Sequence, residues 1–343
     1  MTKLKILYGV QGTGNGHISR ARMMARHFSE RDTDVTFLFS GRDKNRFFAM
    51  AEFGDYLHRR GLTFTTEAGK VKYAQTIRDN NIFQFFKDVR ELDVHQYDVI
   101  ISDFEPVTAW AAKLAGKTSI GIGHQYAFDY AIPMRGQNPA TRLVMRYFAP
   151  TKHRIGLHWH HFGHPILPPM VDTQLAPINS DQNYHLVYLP LENQMAVTAL
   201  LNQFTDHRFI LYAPSLEDHE QSNTLLRKNC LEGFRRDLVG ASGVICNTGF
   251  ALISECLHMG LPVLTKPLAG QMEQLSNASA LEQLGLAYVM ETLSEPTIKK
   301  WLVQDQPPSH YPNVAKALVD WVLAGDWGNA SLETMKAQLW RHT

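Results

Sequence analysis

The sequence predicts an α/β protein built from two doubly wound parallel sheets, and three observations carry that expectation. Apolar, β-branched runs alternate with stretches of helical periodicity along the chain, the pattern of parallel strands covered on both faces. The chain has 343 residues, enough for two domains of about 150 to 180 residues. Two glycine-containing turns, one near each end, each follow an apolar run and precede a helical one. Sheets of this kind bind ligands at the carboxyl ends of their strands, which is where both turns fall.

The first strand is expected at Leu4–Gly9, feeding Gln-Gly-Thr-Gly-Asn-Gly-His-Ile-Ser-Arg at residues 11–20. A helix over Ile18–Glu30 follows, with Ile18, Ala21, Met24, Ala25 and Phe28 at helical spacing. Gly12, Gly14 and Gly16, with the polar Asn15 between them, let the backbone approach a ligand without a Cβ in the way. The spacing is not the G-x-G-x-x-G of a dinucleotide fold, and no Lys-Ser/Thr pair completes a P-loop. Further strands are expected at Val35–Ser40, Thr63–Thr66, Val99–Ser102, Ser119–Gly123 and Gly156–His160. Helices are expected at Arg42–Met50, Ile82–Asp93, Pro106–Ala115 and Ala140–Phe148. Asp103 and Glu105 fall on the loop after the fourth of these strands, on the same side as the glycine loop. Either could orient a catalytic imidazole such as that of His17. Equally, they could cap the helix that Pro106 opens. His124 and Gln125 end the next strand and are candidate acceptor contacts.

A break is expected in Gly163–Ser180, giving domains at 1–164 and 181–343 joined by a linker at 165–180. Strands follow at His185–Leu189, Phe209–Tyr212, Gly243–Cys246, Pro262–Thr265 and Ala287–Met290, with helices between them. After Gly243–Cys246 come Asn247, Thr248 and Gly249, and a helix opens at about Phe250. Its free N–H groups and positive dipole end suit a phosphate. Glu255 lies two turns along the same face, roughly 10 Å from such a phosphate, where a carboxylate could take both ribose hydroxyls. Gln271, Glu273, Gln274 and Asn277 gather at the start of the following helix and offer amide and carboxylate groups suited to a sugar. Phosphate, ribose and hexose sites in that order describe a nucleotide sugar. Two helices, broken around Gly325–Asn329, are expected over Trp321–Trp340.

Gly-Thr-Gly-Asn-Gly-His-Ile near one end, with Cys-Asn-Thr-Gly-Phe and Gln-Met-Glu-Gln-Leu-Ser-Asn near the other, resembles the GT-B glycosyltransferases. The likeness is greatest to the family 28-like group containing the lipid II-forming N-acetylglucosaminyl transferase. The resemblance implies the GT-B fold, two Rossmann-like domains facing across a cleft, with the last helix crossing back to the first domain. Gly163-His164-Pro165 matches the turn that opens the linker in that group. The resemblance places the donor diphosphate at Thr248 and Gly249, the ribose on Glu255, and the donor sugar on Glu273, Gln274 and Asn277. Glu273 departs from the pattern, since those transferases usually carry Gln or Asp there. Gly-His-Ile implies that His17 is the base or an acceptor contact. The implied reaction moves a sugar from a nucleotide donor, a UDP-sugar, to a hydroxyl acceptor such as a lipid or glycan, with no cofactor and no catalytic metal. Two rivals share the donor site: a nucleotide-sugar hydrolase or epimerase, and a non-catalytic sensor that would not need His17.

The composition, 44% hydrophobic and 20% charged with net charge +1, gives no basic excess for nucleic acid. Cys230, Cys246 and Cys256 are odd in number and lack metal-ligand spacing, as free thiols of a reducing cytoplasm would. No apolar run approaches the ~18 residues of a spanning helix, so a cytoplasmic protein is expected. Arg135, Arg142, Arg146, Lys152 and Arg154 interleave with Leu143, Val144, Met145, Tyr147 and Phe148. That mixture suits peripheral contact with the inner face of an anionic membrane, or equally a half-buried helix with a solvated face. His158, His160, His161 and His164 cluster in sequence, but no carboxylate or Cys set completes a metal site.

Overall fold

In the computed structural model, residues 3–63, 66–67, 70–71, 80–177, 183–341 and 343 are described. The first sheet is built from β1 (Leu4–Gln11), β2 (Thr33–Ser40) and β3 (Leu57–His58) on one side. After a small hairpin of β4 (Thr66–Glu67) and β5 (Lys70–Val71), it continues with β6 (Val99–Asp103), β7 (Ser119–Gly123), β8 (His153–Leu157) and β9 (Ile166–Leu167). The order β3-β2-β1-β6-β7-β8-β9 is parallel at every pairing. Ile6, Leu7, Tyr8 and Val10 of the central strand are fully buried because helices cover both faces.

The second sheet uses β10 (Tyr184–Tyr188), β11 (Arg208–Ala213), β12 (His219–Gln221), β13 (Thr224–Lys228), β14 (Gly243–Asn247), β15 (Val263–Lys266) and β16 (Tyr288–Val289). Its order is β12-β13-β11-β10-β14-β15-β16, and only the edge strand β12 runs antiparallel. The helices that matter below are α1 (Asn15–Ser29), α2 (Ile82–Glu91), α3 (Pro106–Leu114), α4 (Pro139–Tyr147), α5 (Gln194–Leu201), α6 (Leu231–Val239), α7 (Phe250–Met259) and α8 (Met272–Leu284). Three more close the chain: α9 (Glu295–Trp301), α10 (Val314–Ala324) and α11 (Asn329–Trp340).

The last two helices return to the first sheet. α10 packs on α1, where Arg31 and Asp320 pair at 2.7 Å. From the end of α11, Trp340 donates to the Ile166 carbonyl at 2.7 Å. One hydrophobic cluster therefore runs from Ile6 and Met24 through Phe250 and Ile253 to Leu318 and Leu339.

Four expectations need correction or qualification. Arg42–Met50 forms no α-helix but an irregular loop with single 3-10 turns at Lys44–Arg46 and Ala51–Phe53. Tertiary contact overrides local propensity there. Phe47 lies edge-on to Phe39 with ring centres 5.6 Å apart and fills the space beside Gly12, where a Cβ would meet its ring at 2.6 Å. The strand expected at Thr63–Thr66 falls largely on 64–65, outside the described residues, and the sheet edge is the short β3 instead. Of the expected linker, 178–180 lies outside the described residues, as do the first residues of the second domain, 181–182. The strand expected at Gly156–His160 sits earlier, at β8, because the chain leaves the sheet after Leu157 and Trp159 turns to donate to Ser254 of α7 at 2.9 Å.

Asp32-Thr33-Asp34 has Asp-x-Asp spacing, but it lies at the amino end of β2, opposite the ligand-binding side of the sheet. Among the described residues, no group of His, Cys, Asp or Glu is arranged to hold a metal. No described helix is long and apolar enough to cross a membrane.

Gly9 sets how closely α3 approaches β1. A Cβ there would overlap the Thr108 hydroxyl and lie 2.8 Å from Oε2 of Glu105. Neither side chain can retreat, since Thr108 donates to that same carboxylate from its N–H at 2.7 Å and its hydroxyl at 2.6 Å. Gly9→Ala is expected to cost about 1–3 kcal/mol through overpacking. A denaturant midpoint lowered at unchanged slope would show it; a wild-type midpoint would mean that α3 can slide.

Candidate active site

The carboxyl ends of both sheets face a cavity of about 360 Å³. From the first half it is lined by Asn15, Gly16, His17, Arg20, His124 and Gln125. The second half adds Tyr188, Asn229, Phe234, Arg235, Asn247, Gly249, Glu255, Glu273 and Gln274, among others. Helices α1 and α7 both begin here, after Gly14 and Gly249, and neither has a side-chain cap. Their first turns touch: a Cβ on Gly16 would lie 3.0 Å from that of Ala251. Two positive helix ends with uncapped N–H groups thus converge on one space.

On the first-domain side, His17 Nδ1 lies 2.6 Å from Oδ1 of Asp103. Asp103 ends β6 and is fully buried. Burial alone would push its carboxyl up, but Arg20 and His17 beside it outweigh burial and hold it below the usual carboxylate range. Arg20 is itself buried and grips the carboxylate with Nε to Oδ2 at 2.9 Å and Nη2 to Oδ1 at 2.5 Å. With Nδ1 turned to Asp103, the opposite ring nitrogen of His17 has no hydrogen-bond partner among the described residues.

Glu105 goes elsewhere. The residue between the two acids, Phe104, has φ of 50°, a left-handed conformation that is strained for an aromatic residue. This kink sends the two carboxylates in different directions. Glu105 caps α3, accepting from the N–H groups of Val107 at 2.8 Å and Thr108 at 2.7 Å and from the Ser40 hydroxyl at 2.6 Å. It is fully buried and does not line the cavity. Glu105 is thus the helix cap, and Asp103 is the acid that meets His17.

Of the expected donor residues, Asn247, Gly249, Glu255, Glu273 and Gln274 line the cavity. Burial pushes the Glu255 carboxyl up to about 7, with Asp172 adding to the shift and Arg235 opposing it. Thr248 does not face the cavity: it is fully buried, and its hydroxyl accepts from Thr265 at 2.9 Å. Gln271 caps α8, its side-chain oxygen accepting from the Gln274 N–H at 2.7 Å. Asn277 is also fully buried; it donates to the Thr248 carbonyl at 3.1 Å and meets Nε2 of His124 at 2.6 Å.

Among the acceptor-side expectations, Asn15, Gly16 and Gln125 line the cavity. Gly12 is instead tied into the loop, its N–H donating to Ser40, and Gly14 is the residue before α1. His124 stacks on Phe250 with ring centres 4.0 Å apart and planes 6° from parallel, and burial pushes its pKa down. Gln125 donates to both oxygens of Glu273 at 3.2 Å. Sequence reasoning missed Arg20 and Arg235, which look like ordinary charges on helices. The spacing of Arg20 from His17, one turn on the same helix, was the available signal.

The basic stretch after Arg135 is largely engaged with the protein itself. Arg135 pairs with Glu291 at 2.6 Å and Arg154 with Asp129 at 2.8 Å, while Arg142 donates to Gln137 and Arg146 lies over the Tyr147 ring. On α4, Leu143, Val144 and Tyr147 are exposed. The clustered histidines are dispersed: His158 is buried among the rings of His124, Trp159 and Phe162, whereas His160 and His161 stack on each other near Trp340.

The fold recurs in solved glycosyltransferases. The glycosyltransferase of kitacinnamycin matches with a TM-score of 0.64 at 16% identity, covering 99% of this chain and 100% of that one. MurG of Acinetobacter baumannii gives 0.55 at 15% identity, covering 94% and 100%. The calicheamicin glycosyltransferase CalG4 gives 0.55 at 13% identity, covering 99% of both chains. Curated protein sequences give no significant match. The two facing parallel sheets are those of the GT-B fold. The family described as glycosyl transferase family 1 matches residues 4–305, and with that match over most of its length the chain belongs to this family and is a glycosyltransferase.

Proposed function

We propose that the enzyme transfers a sugar from a uridine-diphosphate donor to a hydroxyl acceptor, with His17 removing the acceptor's proton. The observation that carries this reading is convergence. One cavity is lined by the uncapped start of α7, by Glu255 and by His17, which Asp103 backs from within the protein. The N–H groups of Phe250 and Ala251 and the α7 dipole would receive the diphosphate as charge gathers on it, each well-placed donor contributing on the order of 3 kcal/mol to the barrier. His17, held at Nδ1, would accept a proton at Nε2, an effect of roughly 10²–10⁴-fold.

The cavity's free polar groups suit a hydroxyl-rich ligand. Gln125 Oε1, Asn229 Oδ1 and Asn247 Oδ1 are buried acceptors without a hydrogen-bond partner among the described residues, and Glu255 and Glu273 add carboxylates. Such a set is satisfied by a ligand that brings donors. The nucleotide follows from the same logic. A solved rhamnosyltransferase, SpnG, is complexed with thymidine diphosphate, whose sugar lacks the 2′-hydroxyl. A carboxylate reading two ribose hydroxyls would instead favour uridine diphosphate.

The first test is calorimetry with uridine and thymidine diphosphates. Uridine diphosphate is expected to bind more tightly by about 1.5–3 kcal/mol, the worth of a hydrogen bond to a charged group. Glu255→Ala should erase that preference; equal binding of both nucleotides by the wild type would remove the ribose role. The hydroxyls need the ionised carboxylate, and the Glu255 carboxyl sits at about 7. Affinity for uridine diphosphate should therefore rise more steeply between about pH 6 and 8 in the wild type than in Glu255→Gln, where only the terminal phosphate, with a second pKa of about 6, still titrates. A wild-type profile no steeper than the variant's would contradict the assignment.

The second test is turnover. His17→Ala should lose about 10²–10⁴-fold in kcat while keeping nucleotide affinity, because the nucleotide contacts belong to the other half. Normal turnover in this variant would transfer the base role elsewhere. Donor breakdown at full rate without acceptor would make the enzyme a hydrolase.

A further inference from the structure

His17 and Arg20 stand one turn apart on α1, so both side chains rise from the same face toward the end of β6. Asp103 meets both there. Its Oδ1 lies 2.6 Å from His17 Nδ1 and 2.5 Å from Arg20 Nη2, and Nη2 is itself 2.8 Å from Nδ1. Three polar atoms thus form a closed triangle. It can be satisfied in two ways: Nδ1–H donates to Asp103, or Nη2–H donates to a bare Nδ1. Only the first leaves Nε2 without a hydrogen and able to take a proton.

The position of the carboxylate decides between them. Arg20 Nε donates to Oδ2 at 2.9 Å, so the guanidinium holds the carboxylate by two parallel bonds that fix its plane. Nη2 keeps a second hydrogen, but a bare Nδ1 would face Oδ1 across 2.6 Å with no hydrogen between two acceptors, so the fixed carboxylate selects Nδ1–H. Arg20 is only 4% exposed and Asp103 fully buried, which leaves the pairing little access to competing water. A lysine brings one point charge and could not fix that plane.

We propose that Arg20 is a positioning residue: its paired bonds hold the Asp103 carboxylate as the acceptor for Nδ1–H of His17, so that Nε2 is the nitrogen presented to the acceptor hydroxyl. This rests on the reading of His17 as the base. Arg20 does not itself touch the reacting atoms in this account; it acts through Asp103.

The test reads the imidazole directly and uses the whole protein without ligand. In ¹⁵N-histidine-labelled enzyme, which carries 16 histidines, the His17 ring signals are assigned by their loss in His17→Gln. Wild type is expected to show the Nδ1–H form of His17 with a hydrogen-bonded, slowly exchanging ring proton. In Arg20→Gln the Nδ1–H share should fall below half, or that proton signal should vanish. Arg20→Lys should fall between the two. A wild-type Nδ1–H signal in Arg20→Gln, with only the melting temperature lowered, would reduce Arg20 to a structural residue and overturn the proposal. If Arg20→Gln fails to fold because Asp103 is left buried and unpaired, Arg20→Lys becomes the deciding variant. An unchanged signal there overturns the proposal, and a diminished one supports it. Turnover of His17→Ala separates the two readings: normal turnover defeats the base assignment, whereas the ring signal alone decides whether Arg20 positions Asp103.

Discussion

His124 holds the two halves of this enzyme in the relation on which its cavity depends. The ring leaves the first sheet at the end of β7, with Nδ1 2.8 Å from the Leu157 carbonyl. It crosses to the second half, where Nε2 meets Asn277 at 2.6 Å and the ring lies flat on Phe250. Asn277 in turn holds the carbonyl of Thr248, in the turn that starts α7. One buried imidazole therefore ties the end of a strand in the first sheet to the turn before α7. Beside it, Gly16 and Ala251 come close enough that no side chain fits at Gly16 without adjustment. The start of α1, the start of α7 and His17 consequently line one cavity.

The electrostatics of that space are divided between its two walls. The first-domain wall contains a buried acid, but Arg20 neutralises it, so His17 faces a carboxylate that is already compensated. The second wall offers helix N–H groups at α7 and a carboxyl, Glu255, that burial has moved into the neutral range. An anionic diphosphate is favoured at the helix end, and hydroxyl groups suit the unpartnered acceptors around it. Preorganised groups of this kind stabilise developing charge without having to reorient.

How much could be read from the sequence depended on whether a residue's role is local. The strand–glycine–helix units at Gly12–Gly16 and Asn247–Gly249 were legible, because turn chemistry and helical periodicity are written in neighbouring residues. Glu255 was legible for the same reason, being two turns along the helix that the turn begins. Thr248, Gln271 and Asn277 were recognised as polar but not in their orientation. A polar group near a cleft can serve the ligand, a cap or the other domain, and only the tertiary structure distinguishes these. Glu105 and Asp103 show the point most directly, since a single positive φ at Phe104 sends one into a helix cap and the other to His17. Arg42–Met50 failed for a different reason: its local propensity permits a helix, but Phe47 packs against the glycine loop instead.

We propose that the cavity between the sheets receives a nucleoside diphosphate with its phosphates at α7 and its ribose at Glu255. A crystal structure of the enzyme with uridine diphosphate tests this most directly. Phosphate oxygens are expected within hydrogen-bond distance of the Phe250 and Ala251 N–H groups, with both ribose hydroxyls on the Glu255 carboxylate. A nucleotide bound elsewhere, or bound here with the ribose turned away from Glu255, would contradict it.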